Sequence, residues 1–167
     1  MEETKQKRDL IVMIGMTLSG KTYQVDLNYL PEHQLVSKFY VTQALRTTKL
    51  PQDPNIIPMT MELMARAHMI KGLPVVIDES NLEIDSLFLW KAITREFGYN
   101  IKGVFLDTPL DVCTARLKYI LKDQPITEEM HEKLSSEFEK VEELKTLLKM
   151  KHQRLLDTIT FINYDGG

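Results

Sequence analysis

Four short aliphatic runs, Leu10 to Ile14, Leu73 to Asp78, Ile101 to Asp107 and Thr158 to Asn163, are separated by longer helical stretches. Runs of Val, Ile, Leu and Phe with this length and spacing predict strands of a parallel sheet, apolar on both faces because helices cover both. A weaker fifth strand is expected near Gln34 to Ser37. Helices are expected at about Lys21 to Leu30, Tyr40 to Arg46, Ile57 to Lys71, Ile84 to Phe97, Pro109 to Leu121 and Thr127 to Leu156. Pro109 suits a first helical turn, and Gly72 and Gly98 stand where left-handed backbone ends a helix. Lys49 to Pro58, with three prolines, and Lys122 to Ile126 interrupt the pattern and are expected to be irregular. The alternation continues to the end, so the 167 residues are expected to form a single domain.

Composition narrows this α/β expectation. Hydrophobic residues make up 43% and charged residues 27% of the chain, the balance of an ordinary globular protein. A formal charge of −3 argues against a protein that coats nucleic acid by releasing counterions. Cys113, the only cysteine, has no internal disulfide partner and is read as a small buried helix residue suited to a reducing compartment. The charged opening from Met1 to Asp9, followed only by Leu10 to Ile14, does not resemble a signal peptide, and no run nears the roughly 20 apolar residues of a membrane span. An intracellular, cytoplasmic location without membrane partners is expected.

The most specific chemistry lies directly after the first strand. Gly15-Met16-Thr17-Leu18-Ser19-Gly20-Lys21-Thr22 satisfies G-x-x-x-x-G-K-[ST] between a strand and a helix, the context that the pattern requires. Its glycines let the backbone curl, so that N–H groups around Thr17, Leu18 and Ser19 cradle phosphate oxygens at the positive end of the next helix. Lys21 supplies a charge for the β- and γ-phosphates, and Thr22 offers a hydroxyl to Mg²⁺. ATP and Mg²⁺ are therefore the expected ligands.

Asp78 ends the strand Val75-Val76-Ile77-Asp78, where ligands gather in open α/β sheets. It could serve Mg²⁺ or an acceptor hydroxyl, and Ser80 and Asn81 could add polar contacts. All three residue types also cap helices, and a helix starts nearby. Asp78-Glu79-Ser80-Asn81 and Asn100-Ile101-Lys102-Gly103 stand in place of the switch and guanine-reading motifs, which argues against a small GTPase. Arg116, on a helix leading into a polar loop with Lys118 and Lys122, could swing onto the nucleotide and stabilise the charge of a loose phosphoryl transition state. The alternative is a surface arginine paired with Asp111 or Asp123.

Together the phosphate loop, the turn Val-Ile-Asp-Glu-Ser-Asn-Leu, the helix ending Phe97-Gly98-Tyr99, the strand Leu106-Asp107-Thr108-Pro109 and Arg116 resemble the P-loop kinases related to the 5′-kinase domain of phage polynucleotide kinase. The resemblance runs from about Asp9 to Asn163. It implies a five-stranded parallel sheet in the order 2-3-1-4-5 with a helical lid. It also implies Lys21, Asp78 and Arg116 as catalytic residues, and γ-phosphoryl transfer to a hydroxyl of a nucleic-acid end, nucleoside or modified base. Two places depart from it. Phe39 and Thr42 stand where such kinases carry an acid and an arginine after the second strand, and Ile120 stands where the lid carries its second arginine. Tyr40, Gln43 and Arg46 are candidates for facing the acceptor, or plain helix surface. An ATP-binding sensor or interaction module without transferase activity is the second reading that these departures keep open.

Other signals read as scaffold. Met59, Met61, Met64 and Met69 with Leu63 and Ala67 suggest a buried or adaptable helix face. Phe88 and Trp90 are expected in the core. The four histidines share no metal-ligand spacing. The Glu- and Lys-rich helix after Thr127, with Glu137 among its carboxylates, reads as a solvated face.

Overall fold

The structure is a computed structural model that describes residues 7–46 and 53–165. The first six residues and 47–52, including the start of the expected irregular stretch at Lys49, lie outside them. The chain runs β1 (Asp9–Ile14), α1 (Lys21–Asn28), β2 (Gln34–Ser37), α2 (Lys38–Leu45), α3 (Ile56–Ile70), β3 (Val75–Asp78), α4 (Ile84–Phe97), β4 (Asn100–Asp107), α5 (Leu110–Leu121), α6 (Glu128–Lys151), a 3₁₀ turn (His152–Arg154) and β5 (Thr158–Asn163).

All strands pair in parallel, in the order β2-β3-β1-β4-β5. That is the order the resemblance implies. β1 is central and every one of its residues is buried, which explains an unbroken aliphatic run where a half-exposed strand would alternate. Its side chains nevertheless divide by parity. Leu10, Val12 and Ile14 join the larger core with Met61, Met69, Trp90 and Leu148, while Ile11 and Met13 meet Val25 of α1 on the other face. The chain turns to β3 on one side of β1 and to β4 on the other, and this places a crevice beyond the carboxyl ends of these strands.

Several boundaries shift for local reasons. β3 begins at Val75 because Pro74 has no N–H to give the ladder, although its carbonyl accepts from Gln34 N at 2.8 Å. α2 begins at Lys38, capped by Ser37 Oγ, which accepts from Tyr40 N at 3.4 Å. Pro109 precedes α5 as its cap, Ile56 already opens α3 inside the stretch expected to be irregular, and α6 passes into the 3₁₀ turn before Leu156. Thr127 caps α6 as expected, its Oγ1 accepting from Met130 N at 3.2 Å, and Gly98 ends α4 at φ 69°.

Two readings of the apolar pattern are corrected. Phe88 is exposed, because α4 turns Leu87, Trp90 and Ile93 inward and sets Phe88 off that stripe. The methionine face of α3 splits into Met61, Ala65 and Met69 at four-residue intervals in the core, with Met59, Leu63 and Ala67 exposed. Cys113 is buried, and burial pushes its thiol up from its ordinary value. Among the described residues no helix is long and apolar enough to cross a membrane.

Candidate active site

Residues 15–22 wrap at the carboxyl end of β1, and their carbonyls are tied both by the loop's own Lys21 and from other elements. Lys21 Nζ donates to Gly15 O at 2.9 Å and Met16 O at 2.7 Å, Arg116 Nη1 to Leu18 O at 2.7 Å, and Thr108 Oγ1 to Ser19 O at 2.8 Å. Two of the loop's own N–H groups are engaged inside the protein, Gly15 N with Ser80 O and Ser19 N, which was expected at the phosphate, with Met16 O at 3.1 Å. The first turn of α1 still presents N–H groups to an anion, since a helix start has no internal acceptors for them. Gly20 adopts φ 104° at this junction, a backbone that a side chain would strain. Gly15 is fixed by crowding instead, because an added Cβ would lie 2.6 Å from Ser19 Oγ.

Lys21 is a desolvated ammonium. Burial pulls it below its ordinary value, opposed by Asp78 and Glu137. The carbonyls of Gly15 and Met16 accept its hydrogen bonds.

Thr22 Oγ1 donates to Asp78 Oδ2 at 2.8 Å, joining the start of α1 to the end of β3. Asp78 is nearly buried. Lys21, Thr22 and Asp78 share a cleft of about 750 Å³ with Thr17 and Leu18, and it extends past Glu79 and Ser80 to Phe39, Thr42, Gln43 and Arg46. Lys133, Glu137 and Lys140 of α6 form its opposite wall. Four of the cleft's charged groups form two pairs across elements: Lys38 lies 3.6 Å from Glu79, and Lys140 pairs with Glu83. Tyr40 is exposed and packs edge-on against the Phe39 ring at 5.4 Å.

Arg116 lies elsewhere. It lines a smaller cleft of about 280 Å³ with Ser19, Gly20, Thr108, Tyr164 and Asp165, its guanidinium 5.8 Å from the centre of the Tyr164 ring. The structure thus brings Lys21, Thr22 and Asp78 together and sets Arg116 on the other side of the loop, bonded to Leu18 rather than to Asp111 or Asp123. Lys118 lies apart from both clefts, with Asp111 and Thr114.

Asn81 lines the larger cleft but does not cap α4, whose cap is Glu83. It is 2% exposed, sits at φ 50°, donates from Nδ2 to Met13 O at 2.7 Å and accepts from Trp90 Nε1 at 3.2 Å. Gly15 N donates to Ser80 O at 3.0 Å in the same turn, so the Asn81 segment fastens the base of the phosphate loop to α4. Asn81→Ala would strand a buried carbonyl and an indole N–H. We expect a loss of about 2 kcal/mol or more in chemical denaturation, with the m-value unchanged.

The pairings that the residues alone did not announce are Thr108 with Ser19, Arg116 with Tyr164, and Thr17 with Glu137, where Thr17 Oγ1 donates to Glu137 Oε1 at 2.9 Å. Glu137 did carry a signal. Leu134, Val141, Leu144 and Leu148 are buried at heptad-like spacing, and Glu137 occupies the missing position of that seam.

The AAA domain family AAA_33 matches residues 10–140, and the chain belongs to this P-loop family. No curated protein sequence matches it. Among known structures it is similar to the Deinococcus radiodurans tunicamycin resistance protein, at 21% identity and TM-score 0.60 over 96% of this chain and 88% of that one. It is similar to a chain of the Pnkp1/Rnl/Hen1 RNA repair complex, at 17% identity and TM-score 0.63 over 85% of this chain, but it spans only 47% of that protein. The Mycobacterium tuberculosis APS kinase CysC, in complex with AMPPNP and APS, aligns at 17% identity and TM-score 0.52 over 66% of this chain and 69% of that one. At these identities the likeness is one of fold.

Proposed function

We propose that this chain is a single-domain, ATP-dependent phosphotransferase that moves the γ-phosphoryl group to a hydroxyl of a nucleic-acid end, a nucleoside or a modified base. The observation that carries the reading is the convergence of Lys21, Thr22 and Asp78 from two elements on one cleft, with the 2.8 Å Thr22–Asp78 contact at its floor. Kinases among the fold's relatives, one holding a nucleotide analogue, support it. The relation to polynucleotide kinases belongs to the same proposal and rests on the motifs from Gly15 to Arg116.

A hydroxyl and a carboxylate fit Mg²⁺, which prefers hard oxygens and completes its octahedron with phosphate oxygens and water. Thr22 and Asp78 would hold it. When bound it would neutralise charge developing on the phosphates. Lys21 leaves the Gly15 and Met16 carbonyls for the phosphate tail, the loop amides orient the chain of phosphates, and Asp78 keeps Thr22 in place.

The Arg116–Tyr164 cation–ring pair lines the smaller cleft, and the adenine of ATP would pack against it. In this reading Arg116 holds the nucleotide first and, through Leu18, the loop's shape. Arg116→Ala is expected to weaken Mg-ATP binding about tenfold, or about 1.4 kcal/mol, measured by titration calorimetry. Unchanged affinity would remove Arg116 from the nucleotide site.

Incubation with labelled ATP and Mg²⁺ against 5′-hydroxyl DNA, 5′-hydroxyl RNA and nucleosides tests the reading. Transfer to one of them supports the kinase. ATP binding without transfer to any supports the second reading, a binding module, which Phe39 and Thr42 at the acceptor wall favour.

A further inference from the structure

The larger cleft is lined by four carboxylates among the described residues, and three of them are engaged. Asp78 accepts from Thr22, Glu79 faces Lys38 at 3.6 Å, and Glu83 pairs with Lys140. Glu137 differs. Its Oε1 accepts from Thr17 of the phosphate loop at 2.9 Å, while Oε2 is buried and has no hydrogen-bond partner among the described residues. It also stands where the α6 seam of Leu134, Val141, Leu144 and Leu148 would otherwise place an apolar side chain.

A carboxylate oxygen buried without a partner, as Oε2 is on this partly buried side chain, is costly and calls for a compensating use. Beside a phosphate-binding loop it would also repel the ligand unless a proton donor lay between them. An acceptor hydroxyl is such a donor. The place where related kinases carry their acid holds Phe39, and this side chain is exposed on the same cleft.

We propose that Glu137 is a catalytic residue on the acceptor side, with Oε2 receiving the proton of the attacking hydroxyl. The proposal rests on the phosphotransferase reading above. The acceptor oxygen bonds to the γ-phosphorus as its proton passes to Glu137 Oε2, and the bond from the γ-phosphorus to the β,γ-bridging oxygen breaks with its electron pair leaving on ADP. Glu137 then returns the proton to solvent. Thr17 keeps Oε1 on the phosphate loop, and because Oε2 is covered in this structure the step requires the seated acceptor to displace the side chains over it.

The test compares wild type, Glu137→Gln, Glu137→Asp and Thr17→Val, as full chains, for the dissociation constant of Mg-ATP and for kcat and KM with whichever 5′-hydroxyl DNA, RNA or nucleoside accepts label from wild type. For Glu137→Gln we expect kcat to fall about 10²-fold, with Mg-ATP affinity unchanged or tighter. Glu137→Asp should recover part of that loss. Thr17→Val, which keeps the carboxylate and removes only its orienting bond, should lose about tenfold in kcat, and it carries the test should Glu137→Gln fail to fold. A Glu137→Gln kcat within about threefold of wild type, or an affinity loss matching the loss in kcat, overturns the assignment while the kinase reading stands. Wild type that binds Mg-ATP but labels nothing overturns both.

Discussion

Lys21→Met is expected to lower phosphoryl transfer by about 10³-fold and to remove measurable Mg-ATP binding, while the protein melts no earlier than wild type. The first effect follows from the removal of the ammonium that meets the transferring phosphate in a low-dielectric cleft, where a fixed charge counts for far more than in water. The second follows from the direction of the Lys21 shift. Burial lowers its pKa, so the charged form is disfavoured in the folded state relative to the unfolded chain. This penalty is present at neutral pH and fades only as pH rises through the lowered folded value toward the ordinary one. Methionine removes the penalty and leaves the Gly15 and Met16 carbonyls beside the cleft that Lys21 lines, where solvent can satisfy them. Single-turnover transfer and a thermal melt on the same preparation check the two halves separately.

Asp78→Asn is expected to cost about 10²-fold in kcat with a smaller change in the binding of free ATP. The amide can still accept from Thr22, so the 2.8 Å contact between β3 and α1 survives in outline. What disappears is the negative charge that the metal needs, so the loss should be partly recovered by raising Mg²⁺. Full activity in this variant would remove Asp78 from the metal side.

The sheet was legible because its signals are local and redundant. β1, β3, β4 and β5 are each short aliphatic runs closed by polar or turn residues, and the phosphate loop adds a pattern whose context confirms itself. The strand order came from the resemblance, since periodicity does not say that β1 lies between β3 and β4. Placement of site residues was legible only where one motif spans them. Lys21 and Thr22 follow from the loop, and Asp78 from its place at a strand end.

Side chains acting across elements were harder to read. Asn81 looked like a cap or a ligand contact, because its residue type suits both, yet its partners Met13 and Trp90 lie on other elements. Glu137 was hidden among many glutamates on one helix. Only the seam through Leu134, Val141, Leu144 and Leu148 separates it from its solvated neighbours. Arg116 stood out in the sequence, but its partners, Leu18 O and Tyr164, are 98 and 48 positions away and place it on the smaller cleft.

The account turns on a triphosphate seated in the curled backbone of residues 15–22. Calorimetric titration of the magnesium-loaded wild-type protein with ATP, run beside Lys21→Met, tests this most directly. Saturable one-to-one binding in wild type that disappears in the variant is the predicted result, and no heat of binding in wild type, or equal affinity in both proteins, would contradict it.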